Sequence, residues 1–121
     1  MSRIVIIEDE ALIRDLLEMK LKEEGFEVLS AEDGEKGLEL IEKERPDLII
    51  LDIVMPKKTG FEVLEEMKKK GLSDIPVIVI SNSGQPVELS EAQKMGASDW
   101  LIKTEFDPQE VLEKVKKYIR V

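Results

Sequence analysis

The stretch Leu48-Ile49-Ile50-Leu51-Asp52-Ile53-Val54-Met55-Pro56 decides how this chain folds. Residues 48–51 are continuously apolar and short, which reads as a central strand covered on both faces, the form strands take in a parallel sheet. Asp52 closes the run, and Met55-Pro56 forbids a regular continuation, because the residue before a proline is pushed away from helical geometry. A charged side chain placed there is driven to the rim of the sheet. Three further runs have the same form. Ile4-Val5-Ile6-Ile7 leads into Glu8 and Asp9, Val77-Ile78-Val79-Ile80 into Ser81, and Trp100-Leu101-Ile102 into Lys103. The C-terminal ends of parallel strands lie along one edge, where ligands of open α/β sheets bind. Three carboxylates, a hydroxyl and an ammonium would then face one pocket. Such a set can hold a divalent cation beside a phosphoryl group, with a carboxylate as nucleophile.

Amphipathic stretches separate the β-branched runs, giving five repeats of strand then helix. The first strand is read over 3–7, and the helix after it carries Leu12, Ile13, Leu16, Leu17 and Leu21 at spacings of three and four until Gly25 ends it. The second strand, 27–31, leads through Asp33-Gly34 into a short helix with Leu38 and Ile41 inward, closed off by Pro46. A third helix is expected from about Thr59-Gly60 to Gly71, burying Val63, Leu64 and Met67. The fourth, roughly 86–95, has only Val87, Leu89, Ala92 and Met95 as apolar anchors and should be the easiest element to move. The fifth strand, 100–103, precedes Asp107-Pro108-Gln109-Glu110, a helix start with Asp as cap and Pro in the first turn. The last helix buries Val111, Leu112, Val115 and Ile119.

Composition narrows the function classes. A chain of 121 residues matches one domain, and 42% hydrophobic with 37% charged residues is too apolar and too well patterned for disorder. The net charge of -9 argues against a nucleic-acid surface, and the basic runs 68–70 and 116–117 fall at helix ends, where cations suit the dipole. Without cysteine there is neither a disulfide framework nor a zinc finger. Without histidine the chain lacks the usual general base and any phospho-histidine donor of its own. Met-Ser-Arg is followed by only four apolar residues before Glu8, too few for a signal peptide or a membrane span, so a cytoplasmic location is expected.

The acidic cluster needs a reason. Two unit charges about 4 Å apart repel by about 4 kcal/mol at an effective dielectric near 20, so three unpartnered acids would be a liability. Mg²⁺ would remove most of it, since it takes oxygen ligands octahedrally and keeps several waters. Each residue also has a plainer reading. Glu8-Asp9-Glu10 could be a solvated helix start, Ser81 ordinary turn chemistry, and Asp52 a helix cap, although the next helix begins several residues later. Lys103, directly after a buried strand, reads as an edge position or as a partner for buried acids; acting with the acids, it would bridge Asp52 and then a phosphoryl oxygen.

At this point the chain resembles the receiver domains of two-component response regulators, similar to the stand-alone chemotaxis receiver. The resemblance rests on Ile-Ile-Glu-Asp-Glu at 6–10, Leu-Ile-Ile-Leu-Asp-Ile-Val-Met-Pro at 48–56 with Gly60, Ile-Ser at 80–81, Met-Gly-Ala at 95–97 and Trp-Leu-Ile-Lys at 100–103. It implies a single receiver domain over 1–121 with a flavodoxin-like fold, five parallel strands in the order 2-1-3-4-5 and helices on both faces. It further implies that Asp52 is phosphorylated by a partner histidine kinase or phosphotransfer protein. Asp9, Asp52 and the Val54 carbonyl would bind Mg²⁺, and Glu8 a metal-bound water. Ser81 and Lys103 would bind phosphoryl oxygens with backbone N–H groups near Ile53 and Asn82, and Ser81 and Trp100 would act as the switch pair. The output is a protein-protein contact to a downstream target through the fourth helix, fifth strand and fifth helix, by a monomer or weak dimer that is not an enzyme. Thr104 stands where the family has proline, so a trans Lys103-Thr104 bond is expected; Trp100 replaces Tyr or Phe, and Asn82 a small residue. Val54 and Ser83 replace groups that in some receivers orient a hydrolytic water, so a long-lived phosphoryl group is expected. Two alternatives remain: an aspartyl-phosphate phosphatase, disfavoured because Val54 stands where a second Asp is needed, and a receiver-like interaction module working without phosphorylation.

Overall fold

The computed structural model describes residues 2–81, 86–103 and 107–119. Its elements run β1(Arg3–Ile7), α1(Ala11–Glu23), β2(Glu27–Ala31), α2(Gly34–Glu44), β3(Leu48–Asp52), α3(Gly60–Lys69), β4(Val77–Ser81), α4(Pro86–Lys94), β5(Asp99–Ile102) and α5(Pro108–Tyr118). The strands form one sheet in the order β2-β1-β3-β4-β5, every pair parallel. The doubly wound architecture read from the sequence is therefore the one the chain adopts.

Strand side chains alternate between faces, and this sorts the core into two layers. Val5, Ile7, Ile49, Leu51, Val77 and Val79 pack with Leu38 and Ile41 of α2, Val63 and Met67 of α3 and Ala92 of α4. Ile4, Ile6, Leu48, Ile50, Ile78 and Ile80 pack on the other face with Leu17 and Leu21 of α1 and Val111 and Val115 of α5. The same alternation places the site. Glu8, Asp52 and Lys103 continue the parity of the α1/α5 face at the C-terminal edge, and Ser81 continues that of the opposite face.

Three boundaries differ from the sequence reading. β3 and β4 each extend one residue to include Asp52 and Ser81, because the parallel ladder pairs Asp52 with Ile80 and Ser81 with Ile102. β5 begins one residue earlier, at Asp99, and ends before Lys103, whose N–H still reaches the Ser81 carbonyl at 2.7 Å. α1 divides its apolar residues between two faces. Leu17 and Leu21 are fully buried, but Leu12 is 82% and Leu16 38% exposed, with Met19 beside them at 57%. Five apolar residues at spacings of three and four cover too wide an arc for one contact with the sheet. The row through Ile13, Leu17 and Leu21 turns inward, and Leu12, Leu16 and Met19 form a second row facing solvent. On α5, Ile119 sits at the helix end, partly buried against the same layer. The side chains of Val87 and Leu89 on α4, and Asn82, Ser83 and Thr104 with its bond to Lys103, lie outside the described residues.

This division of α1 sets an expectation for stability. Leu17→Ala should lose about 2–5 kcal/mol in urea unfolding, the usual range for emptying a buried leucine site, and Leu12→Ala should stay within about 0.5 kcal/mol. Equal losses would mean that α1 is rotated from the orientation described.

Candidate metal and phosphoryl site

The β1–α1 turn carries the first acids. Glu8 is fully buried and held at three points: its N–H reaches the Ala31 carbonyl at 3.1 Å, its carboxylate accepts from the Glu10 N–H at 2.9 Å, and its own carbonyl accepts from the Arg14 guanidinium at 2.7 Å. Asp52, fully buried at the end of β3, accepts from the Val54 N–H at 3.3 Å. Carboxylate oxygens of Glu8, Asp9 and Asp52 lie within 4.8 Å of one another.

Lys103 ties them together from β5. Its ammonium lies 2.9 Å from Asp52, 3.2 Å from Glu8, 3.4 Å from Glu10 and 3.9 Å from Asp9. Glu8, Asp52 and Lys103 form the floor, and Asp9 and Glu10, with side chains 34% and 57% exposed, stand at the mouth. Glu10 was not singled out by the sequence reading beyond its place in the acidic run. Its closeness to Lys103 comes from the turn that the Glu8 carboxylate holds.

Among the described residues the Lys103 ammonium is shared by all four acids, which leaves the pocket short of positive charge. Burial, joined by the neighbouring Asp52 charge, pushes the Glu8 carboxyl up to about 8. Asp52 is raised as well, burial outweighing the pull of Lys103. Asp9 is only lightly buried, and its hydrogen bonds to Glu8 and Asp52, with Lys103 nearby, hold it below the usual carboxylate range. Burial works against the charge on Lys103, but its bond to Asp52 overcomes this and raises the ammonium's pKa. Among the described residues, Glu8 Oε1 is a buried oxygen with no hydrogen-bond partner. Leaving such an acceptor unsatisfied costs about 1–3 kcal/mol, more when it is charged. A carboxylate-only donor set with an orphaned oxygen beside it fits a hard divalent cation with bound water.

The other expected residues take defined places. Ser81 is fully buried at the end of β4, the strand next to Asp52, on the opposite parity. The N–H of Ile53 is engaged by the Ile80 carbonyl at 3.1 Å, so the adjacent Val54 N–H is the one that faces the Asp52 carboxylate. The Val54 side chain is 55% exposed. Trp100 is half-buried on β5, away from the carboxylates, packed against the α2/α3/α4 layer. Lys114 lies over its ring, 5.5 Å from the centroid, and bonds Asp99 at 3.0 Å and the Trp100 carbonyl. Tyr118 donates to the Ser98 carbonyl at 2.9 Å and approaches Asp99 at 3.2 Å. The sequence reading missed this α5–β5 lattice; its one signal was that Lys114 and Tyr118 stand four apart, flanking the buried Val111–Val115 row.

Comparisons with known proteins agree on one group. The model of the response regulator receiver domain matches residues 4–116. The probable transcriptional regulators ycf27 of Galdieria sulphuraria and Guillardia theta are 38% and 37% identical over 119 residues, 98% of this chain and 46% of theirs. The chain thus spans about half the length of the curated relatives it matches. Among solved structures, the Vibrio cholerae chemotaxis protein CheY4 is 29% identical with a TM-score of 0.91, covering 98% of this chain and 99% of that one. The response regulator protein TrrA of Thermotoga maritima, in complex with Mg²⁺ and BeF, is 37% identical with a TM-score of 0.86, covering 98% and 100%.

Burial of the Glu8 carboxyl should make stability depend on pH. Glu8 binds its proton more tightly folded than unfolded, so that contribution is complete below about pH 4.5 and is lost as pH rises through about 8. In metal-free protein, urea stability should fall by roughly 1 kcal/mol per pH unit across that window, and Glu8→Gln should remove most of the slope. A slope unchanged in the variant would place the titration elsewhere.

Proposed function

Because the chain belongs to the response regulator receiver domain family, we propose that residues 1–121 form one phosphorylation-controlled switch with Asp52 as phosphoacceptor. The observation that carries this reading is the buried Asp52 carboxylate at the end of β3, 2.9 Å from Lys103, with Glu8 and Asp9 oxygens within 4.8 Å. The donor is a phospho-histidine on a histidine kinase or phosphotransfer protein. The phosphorus–nitrogen bond to the imidazole breaks with its electron pair leaving on nitrogen, and a phosphorus–oxygen bond to Asp52 forms, giving an acyl phosphate. Receiver domains bind Mg²⁺ in an acidic pocket, where it neutralises charge on the transferring group. Here Asp9, Asp52 and the Val54 carbonyl would hold the metal, and Glu8, whose Oε1 has no hydrogen-bond partner among the described residues, would hold a water on it.

This chain's residues do the rest by position and charge. Lys103, held against Asp52, moves to a phosphoryl oxygen as the carboxylate is esterified; Ser81 and the Val54 N–H supply further donors. A phosphoryl group adds negative charge where, among the described residues, Lys103 is the ammonium that pairs with all four acids, so relief comes from re-partnering Lys103 and Ser81. Lys103 follows β5 and Ser81 ends β4, so the response is handed to β5, Trp100, α4 and α5. This is the surface proposed to meet the downstream protein. The family is a phosphoacceptor switch rather than a classical enzyme. Among the described residues no helix is long and apolar enough to cross a membrane, and a cytoplasmic setting with a monomer or weak dimer is part of the proposal.

Incubation with a small acyl phosphate and Mg²⁺ should produce one acid-labile phosphoryl adduct by mass spectrometry, absent without Mg²⁺ and absent in Asp52→Asn. Label on that variant would refute Asp52 as acceptor, and no label on the wild type from this donor or a kinase would favour an interaction module working without phosphorylation. Decay of the adduct should be slow, because Val54 offers no group to orient water; Val54→Asn should speed hydrolysis by about 10-fold or more, since water positioning and proton handling are worth factors of this order or larger. Unchanged decay would show that another feature limits hydrolysis.

A further inference from the structure

The segment joining β3 to α3 holds an unusual shape. Lys57 has φ of +67°, and the Lys58 N–H donates to the Pro56 carbonyl at 2.8 Å, a three-residue turn of the strained positive-φ kind. A non-glycine residue stays in such a conformation only where its surroundings over-determine it. Two glycines from different elements supply those surroundings. A Cβ on Gly60 would sit 2.6 Å from the Asp52 carbonyl oxygen and 2.7 Å from the Ile53 Cα, and the Gly60 N–H donates to the Ile53 carbonyl at 2.8 Å. At the other end, a Cβ on Gly34, the first residue of α2, would sit 2.0 Å from the Lys58 carbonyl oxygen and 2.8 Å from its carbon. These are backbone atoms, so the loop rather than a flexible side chain would have to retreat.

Asp33 completes the contact. It is 4% exposed, accepts from the Lys36 N–H at 2.8 Å to cap α2, and lies 3.8 Å from the Lys57 ammonium. We infer that Asp33 and Gly34, in the turn between β2 and α2, are positioning residues for the backbone at Val54 that serves the metal and phosphoryl site. They never touch the reacting groups and act through the loop. Only Met55, Pro56 and Lys57 separate Val54 from Lys58. Proline fixes one dihedral, and Met55, like Ile53, is buried in the core, so little slack remains to absorb a shift at Lys58. A displaced Lys58 carbonyl therefore reaches Val54, whose N–H faces Asp52. A sequence reader sees Asp33-Gly34 as an ordinary helix start, and the second role arises only where another loop is laid on the glycine.

This inference rests on the proposed reading of the pocket, and one titration separates the two. Metal-free ¹⁵N-labelled protein is titrated with Mg²⁺ alone while backbone amide shifts are followed, for the wild type, Gly34→Ala and Ile41→Val. The last variant trims a fully buried side chain seven residues further along the same helix, and serves as the control for lost stability. Gly34→Ala should weaken Mg²⁺ binding tenfold or more and shift the Val54 and Gly60 amides before metal is added; Ile41→Val should bind within twofold of wild type. Wild-type affinity in Gly34→Ala, whatever its melting temperature, overturns the positioning role. Wild-type protein that binds no Mg²⁺ overturns the reading of the pocket, and the inference with it. Should Gly34→Ala fail to fold, hydrogen exchange of the wild type decides. The Lys58 and Gly60 amides should be protected as well as that of Gly37, which donates to the Asp33 carbonyl at 2.9 Å. Exchange there at the rate of an open loop overturns the proposal.

Discussion

One buried ammonium organises this molecule's working edge. Lys103, its side chain 7% exposed, is the point where β5, β3 and the β1–α1 turn are joined by charge, and without it the carboxylates of Glu8 and Asp52 would face each other unscreened. Buried ion pairs seldom add net stability, because desolvation offsets most of the Coulombic gain, whereas deleting one partner of such a pair is costly. The lysine is therefore better understood as fixing an arrangement than as strengthening the fold. It brings together the ends of strands whose cores belong to a continuous sheet, and it leaves an excess of negative charge that a cation or a re-partnered lysine can relieve.

Around that point the backbone is held by close approach. Gly60 lets α3 begin directly against Asp52 and Ile53, with Thr59 as its cap in a reciprocal capping box with Glu62. Gly34 lets the same loop rest on α2. The Asp52 carboxylate sits on a strand and its backbone neighbours on a braced loop, the usual way to keep the groups of a site in register.

Much of this was legible in the sequence because sheet physics is local and periodic. Continuous apolar runs marked four of the five strands within a residue, β1 with its stated ends, and β2 was bounded instead by Gly25 and Asp33-Gly34, which punctuate the chain clearly. Glu8, Asp9, Asp52 and Lys103 could be brought together from topology alone, because strand ends in a parallel sheet share an edge. Reading failed where a side chain's surroundings depend on a distant element. Leu12 and Leu16 have the spacing of buried residues, yet the helix has only one face to give to the sheet. The Asp99–Lys114–Tyr118 lattice needs the register of α5 on β5, which the pattern of Val111 and Val115 allows but does not specify. Gly34 looks like a cap partner until the loop carrying Lys58 is laid on it.

The outward row of α1 has a colloidal consequence. Leu12, Leu16 and Met19 expose apolar surface along one ridge, on a chain whose net charge of -9 keeps copies apart at neutral pH. That repulsion fades as the solution approaches the isoelectric point, about 4.7, where nothing opposes ridge meeting ridge. Solubility should thus be lowest in mildly acidic buffer, while the hydrophobic layers inside the sheet remain intact.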